Sequence, residues 1–126
     1  MESIIAVMPH ASDVKMVQES LRGEGVDLQV TRSPEEALKL LHTQSSSVLI
    51  YDSDSGQPWR EAIPRFLKTR PGVRVVLLSS AADRRMWLDL FDFGAFDLVM
   101  KPFKPAEFRA VLRSAINPPR FFVQAA

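Results

Sequence analysis

The sequence predicts an α/β protein of three layers, αβα, in which a five-stranded parallel sheet lies between two sets of helices. Three observations carry this prediction. Short, nearly continuous apolar runs recur at residues 4–8, 48–51 and 75–78, and strands apolar on both sides belong to a sheet covered on both faces. Segments with helical spacing alternate with these runs, as the right-handed crossovers between parallel strands require. The runs also break off at polar residues, so that Asp52, Ser79 and Lys101 end three different strands. Ligands of open parallel sheets sit at that edge.

Residues 4–8 form the first strand, closed by Pro9. Ser12 or Asp13 is expected to cap the helix that follows, with Val14, Val17 and Leu21 at helical spacing and Gly23 and Gly25 ending it. Residues 26–31 alternate as a second strand. Ser33, Pro34, Glu35 and Glu36 then supply a cap, a first-turn proline and acids near the positive helix end, and this helix runs to about His42. The third strand ends at Asp52 and opens into a loop through Asp54, Gly56 and Pro58.

The segment 60–68 places Ile63, Phe66 and Leu67 on one face but contains Pro64. A proline costs about 3 kcal/mol in a helix interior and little in the first turn, so the helix start is expected near Arg60 or later. Pro71 and Gly72 make the next turn, residues 73–78 the fourth strand, and residues 83–91 a helix stopped by Gly94. Residues 96–100 form the fifth strand, ending at Lys101 and Pro102. The last helix, residues 105–117, has the clearest apolar stripe in Phe108, Val111, Leu112, Ala115 and Ile116.

The chain of 126 residues suits one domain, residues 1–117, followed by a short tail, residues 118–126, in which Phe121 and Phe122 favour packing. A formal charge of +1 provides no broad attraction for nucleic acid or an anionic membrane. The absence of cysteine excludes disulfides and thiol catalysis and agrees with a reducing compartment, the cytoplasm. Residues 1–3 lack the basic start of a signal peptide, and no apolar run approaches the ~18 residues of a membrane span. His10, Ser79 and Ser80 form neither a metal set nor a nucleophile elbow, and no glycine-rich phosphate loop follows the first strand, so neither an enzyme nor a small-molecule binder is expected.

A carboxylate, a hydroxyl and an ammonium at one sheet edge suit phosphoryl transfer. The carboxylate of Asp52 takes a phosphoryl group as an acyl phosphate, Lys101 neutralises phosphoryl oxygens, and Ser79 donates a hydrogen bond to one of them. Alternatively, Asp52 and Lys101 form a structural ion pair of little net stability.

With residues 48–52, 75–80 and above all Gly94-Ala95-Phe96-Asp97-Leu98-Val99-Met100-Lys101-Pro102-Phe103, the chain resembles the receiver domain of bacterial response regulators over residues 3–117. The resemblance implies a flavodoxin-like (βα)5 fold with strand order 2-1-3-4-5. It implies Asp52 as phosphoacceptor, Ser79 as switch hydroxyl, Lys101 as phosphate-binding lysine and a cis bond between Lys101 and Pro102. It also implies Mg²⁺ held by Asp52 and the backbone carbonyl of Asp54, and a histidine kinase or a downstream effector as protein partner.

Two positions depart from the family. Met8 and Pro9 stand where paired acids usually hold Mg²⁺, with His10 and Asp13 the nearest polar substitutes, so metal binding is expected to be weak or absent. Leu98 stands where an aromatic residue usually rotates inward. The expected function is therefore a receiver-like signalling domain of a two-component phosphorelay, acting through protein contacts with impaired Mg²⁺-dependent phosphorylation at Asp52. The alternative is a working Mg²⁺-dependent phosphoacceptor fed by a histidine kinase. Residues 84–93 carry more apolar surface than one buried stripe requires, and Trp87, Phe91, Phe96 and Leu98 are the candidate contact surface for a partner or a second copy of the chain.

Overall fold

The computed structural model describes residues 2–118. Five strands, β1 (Glu2–Val7), β2 (Val26–Thr31), β3 (Val48–Asp52), β4 (Arg74–Ser79) and β5 (Asp97–Met100), alternate with α1 (Ala11–Ser20), α2 (Pro34–Thr43), α3 (Trp59–Thr69), α4 (Arg84–Asp92) and α5 (Pro105–Ile116). All strands pair in parallel, in the order β2-β1-β3-β4-β5. The three-layer class and the strand order are as expected.

Burial explains why the apolar runs were so legible. Every residue of β3 is buried, and alternate side chains feed two cores. Ile5, Val7, Leu49, Tyr51, Val75 and Leu77 pack under α2, α3 and α4 with Phe66, Ile63 and Leu90. Ile4, Ala6, Val48, Ile50, Val76 and Leu78 pack under α1 and α5 with Val17, Phe108 and Leu112. Asp52 continues the alternation of Val48 and Ile50, and Lys101 that of Val99, so both belong to the face covered by α1 and α5.

Helix starts follow the sequence at α2, α4 and α5, the last beginning at Pro105, and differ at α1 and α3. The hydroxyl of Ser33 accepts the Glu36 amide at 3.2 Å with Pro34 in the first turn, and the Asp83 carboxylate accepts the Met86 amide at 2.8 Å. Helix α1 instead begins at Ala11 with His10 at its cap position and no side-chain cap. Neither Ser12 nor Asp13 caps it, because both lie inside the first turn. Helix α3 begins at Trp59, which leaves Pro64 in its second turn rather than its first. The lost backbone bond is outweighed by burial of Trp59, Ala62, Ile63 and Phe66 along the same helix. The fifth strand begins at Asp97, one residue later than expected, and the tail beyond Pro118, with Phe121 and Phe122, lies outside the described residues.

Gly94 ends the α4 turn at φ +88°, a backbone that side-chain-bearing residues rarely adopt. The bond between Lys101 and Pro102 is cis. Among the described residues no helix is long and apolar enough to cross a membrane.

Candidate functional site

Three strand ends meet as the sequence predicted. Asp52, with no solvent exposure, closes β3 and engages both carboxylate oxygens: Oδ1 accepts the Asp54 amide at 2.9 Å, and Oδ2 accepts Lys101 Nζ at 2.8 Å. The Lys101 amide donates to the Ser79 carbonyl at 2.8 Å, which fixes the end of β5 against the end of β4. Ser79 is buried, and its hydroxyl accepts the Ala81 amide at 3.1 Å. Tyr51 shapes the loop after Asp52 from beneath: its hydroxyl donates to the Gln57 carbonyl at 2.8 Å and lies 3.1 Å from Ser55 Oγ.

Two further acids join the site. Asp13, in the first turn of α1, places Oδ2 2.8 Å from Lys101 Nζ. Asp54, expected to offer only its backbone carbonyl, places Oδ2 3.2 Å from the same ammonium and accepts the Ser80 amide at 3.2 Å. Lys101 thus meets three carboxylates and leaves two formal negative charges in excess. Burial opposes the ammonium, but hydrogen bonds to Asp13 and Asp52 outweigh it and hold Lys101 above its ordinary value.

The Mg²⁺ that the resemblance implies does not match this donor set. The register pairs Val7 with Tyr51, which brings Met8 level with Asp52. Met8 is buried at 1% exposure among apolar neighbours, and Pro9 has no side-chain oxygen. The carboxylates that do converge surround an ammonium, and among the described residues no cluster of His, Cys, Asp or Glu is arranged for a metal ion. His10 is exposed beside Pro9.

The four residues of the expected contact surface part into two pairs. Trp87 and Phe91 are exposed on α4 and meet edge to face, with ring centroids 5.0 Å apart. Leu98 is half-buried against the core under α4, whereas Phe96 packs on the opposite face with the α1 and α5 core. Leu88 and Met100, which the sequence did not single out, are more exposed than either aromatic, at 52% and 55%. The signal available for Met100 was its place at the outer end of an edge strand.

Known proteins share this fold. The model of the response regulator receiver domain matches residues 4–113. The DNA-binding response regulator MtrA of Mycobacterium tuberculosis is 30% identical over 116 residues, which are 92% of this chain and 51% of MtrA. The chain spans about half the length of the curated relatives it matches. A response regulator structure from Thermotoga maritima has TM-score 0.86 at 20% identity, covering 93% of this chain and 98% of that one. A response regulator structure from Burkholderia pseudomallei, with a phosphorylated aspartic acid, calcium ion and citrate, has TM-score 0.79 at 19% identity and covers 99% of this chain and 72% of that one. At such identities the structural likeness speaks for the fold.

Proposed function

The chain belongs to the response regulator receiver domain family, and on that premise we propose that it is an atypical receiver whose Mg²⁺-dependent phosphorylation at Asp52 is impaired. It signals through protein contacts, without enzymatic turnover, as a unit of residues 1–117 in the cytoplasm. The observation that carries this reading is the coordination of Lys101. Its ammonium is shared by Asp13, Asp52 and Asp54, while Met8 and Pro9 offer no side-chain oxygen beside Asp52. A hard cation needs an octahedral oxygen shell, and here most of it would fall to water.

The partners this reading requires are a histidine kinase or a downstream effector, and the exposed pair Trp87 and Phe91 on α4 is the surface offered to an effector or to a second copy. Nucleic acid, membrane and small-molecule ligands have no part in it.

A second reading keeps Asp52 as a working Mg²⁺-dependent phosphoacceptor for a histidine kinase. The 2.8 Å contact between Asp52 and Lys101, with Ser79 ending the adjacent strand, favours it, as does the phosphorylated aspartic acid of the Burkholderia pseudomallei neighbour. Incubation with acetyl phosphate, with and without Mg²⁺, followed by intact-mass measurement of wild type and Asp52→Asn separates the two. Little uptake by wild type in either buffer supports the impaired site. Prompt uptake that needs both Mg²⁺ and Asp52 establishes the working phosphoacceptor in its place.

A further inference from the structure

We propose that Asp13 is a built-in competitor for Lys101 and restrains phosphoryl transfer to Asp52. The inference rests on reading Asp52 as the acceptor and adds the residue that regulates it.

A lysine ammonium has three N–H donors and no acceptor. Asp13 and Asp52 each accept a hydrogen bond from Nζ at 2.8 Å, and the Asp54 carboxylate stands 3.2 Å from it as an ion pair. A phosphoryl group on Asp52 would need Lys101 donors for its own oxygens, and the two flanking acids compete with it for them. They are not equivalent. Asp54 also accepts the Ser80 amide at 3.2 Å and sits two residues from Asp52 on a short 3-10 turn. Among the described residues the Asp13 carboxylate has Lys101 alone as hydrogen-bond partner, reached across 88 residues of sequence. Its removal frees a donor and strands no other buried group.

Geometry explains why Asp13 is the residue in that place. Helix α1 lies over the sheet face to which Asp52 and Lys101 belong, and its first turn overhangs the carboxyl edge. A carboxylate in a first turn is favoured by the amide dipoles of the helix start. Without a capping duty, since His10 occupies the cap position, Asp13 is left to Lys101. Its charge also faces any anionic phosphodonor that approaches Asp52.

The restrained step is simple. An oxygen of Asp52 attacks the phosphorus of an acyl phosphate, the bond from phosphorus to the acyl oxygen breaks, and its electron pair leaves on the carboxylate product. No proton is transferred. Neutralising Asp13 removes one repelling charge near the transferred group and releases one Lys101 donor to its oxygens. Charge changes at this range alter rates by about fivefold or more.

The test is the initial rate of mass gain from acetyl phosphate for wild type, Asp13→Asn and Asp13→Ser, each in Mg²⁺ and in EDTA. Asp52→Asn in the Asp13→Asn background is the control, and circular dichroism verifies folding. Both single variants are expected to gain phosphate about fivefold or more faster than wild type in EDTA, with the gain abolished by Asp52→Asn. Rates at or below wild type in the folded variants overturn the inference, as does a gain that survives Asp52→Asn or an absence of uptake in every variant. The impaired-site reading falls by a different result, prompt Mg²⁺-dependent uptake by wild type, so the two fail independently.

Discussion

Lys101 Nζ stands 2.8 Å from Oδ2 of Asp52, a fully buried carboxylate 49 residues away in sequence. Breaking a buried pair by removing one partner costs more than the pair contributes, because the remaining charge is left unmatched. Here three carboxylates would be left. Lys101→Met is therefore expected to destabilise the fold by about 3 to 5 kcal/mol at neutral pH, read from urea unfolding. Adding Asp52→Asn to Lys101→Met should restore part of that loss. A double variant as unstable as the single one would show that the cost lies elsewhere in the Lys101 side chain.

Gly94 and Leu67 set a second, purely steric constraint. A Cβ on Gly94 would come within 2.6 Å of Leu67 Cδ1, and the backbone there has φ +88°. The leucine tip can swing aside, so most of the cost is conformational. Gly94→Ala is expected to lower stability by about 1 to 2 kcal/mol with the fold retained, since left-handed backbone costs about that much per L-residue. An unchanged urea midpoint would show that the α4 turn relaxes to negative φ without strain.

Much of this architecture was legible because β1, β3 and β4 are buried on both faces, which turns a strand into an unbroken apolar word ending at a polar residue. Asp52 and Ser79 could be found from that break alone, and Lys101 from the end of the shorter edge strand β5. Asp13 was legible only as a cap or as a polar substitute for the missing acids, and its pairing with Lys101 was not, because that partner lies 88 residues away. The side-chain role of Asp54 was hidden by the same proximity to Asp52 that suggested a role for its backbone carbonyl. Phe96 and Leu98 were grouped with Trp87 and Phe91 by the family positions they occupy. Phe96 precedes the edge strand β5 and Leu98 lies within it, however, and the two pack against different cores. Pro64 misled for an energetic reason, since local propensity was overridden by burial of Trp59 and Phe66.

Asp54 and Asp97 are expected to move stability in opposite directions as acid is added. Burial raises the Asp54 carboxyl, but hydrogen bonds from Ser80 and Lys101 outweigh burial and hold it below its ordinary 3.8. A carboxyl depressed in the folded state contributes stability that is present above the unfolded value and lost as pH falls through the folded one. Asp97 acts in the opposite sense, because burial raises its carboxyl and protonation favours the fold. Urea midpoints measured from pH 6 down to pH 3 are therefore expected to fall less steeply for Asp54→Asn than for wild type, and more steeply for Asp97→Asn. Parallel curves for all three proteins would remove both groups from the acid response.

The two tryptophans separate stability from contact. Trp59 is 7% exposed, packs edge-on to Phe93 at 5.3 Å and carries the Arg60 guanidinium 4.3 Å from its ring centroid. Trp87 is 47% exposed and touches Phe91 on the outer face of α4. Truncating a buried tryptophan costs about 3 to 5 kcal/mol, so Trp59→Ala should unfold well below the wild-type urea midpoint. Trp87→Glu should shift it by only about 0.5 kcal/mol, as exposed substitutions do. A charge in the middle of an apolar contact is costly to desolvate, so the same Trp87→Glu should abolish self-association through α4. Sedimentation over a range of concentrations is expected to show association of the wild type and a monomer for the variant. A wild type that remains monomeric throughout would assign this face to a different protein, and association that persists in Trp87→Glu would move the contact off α4 altogether.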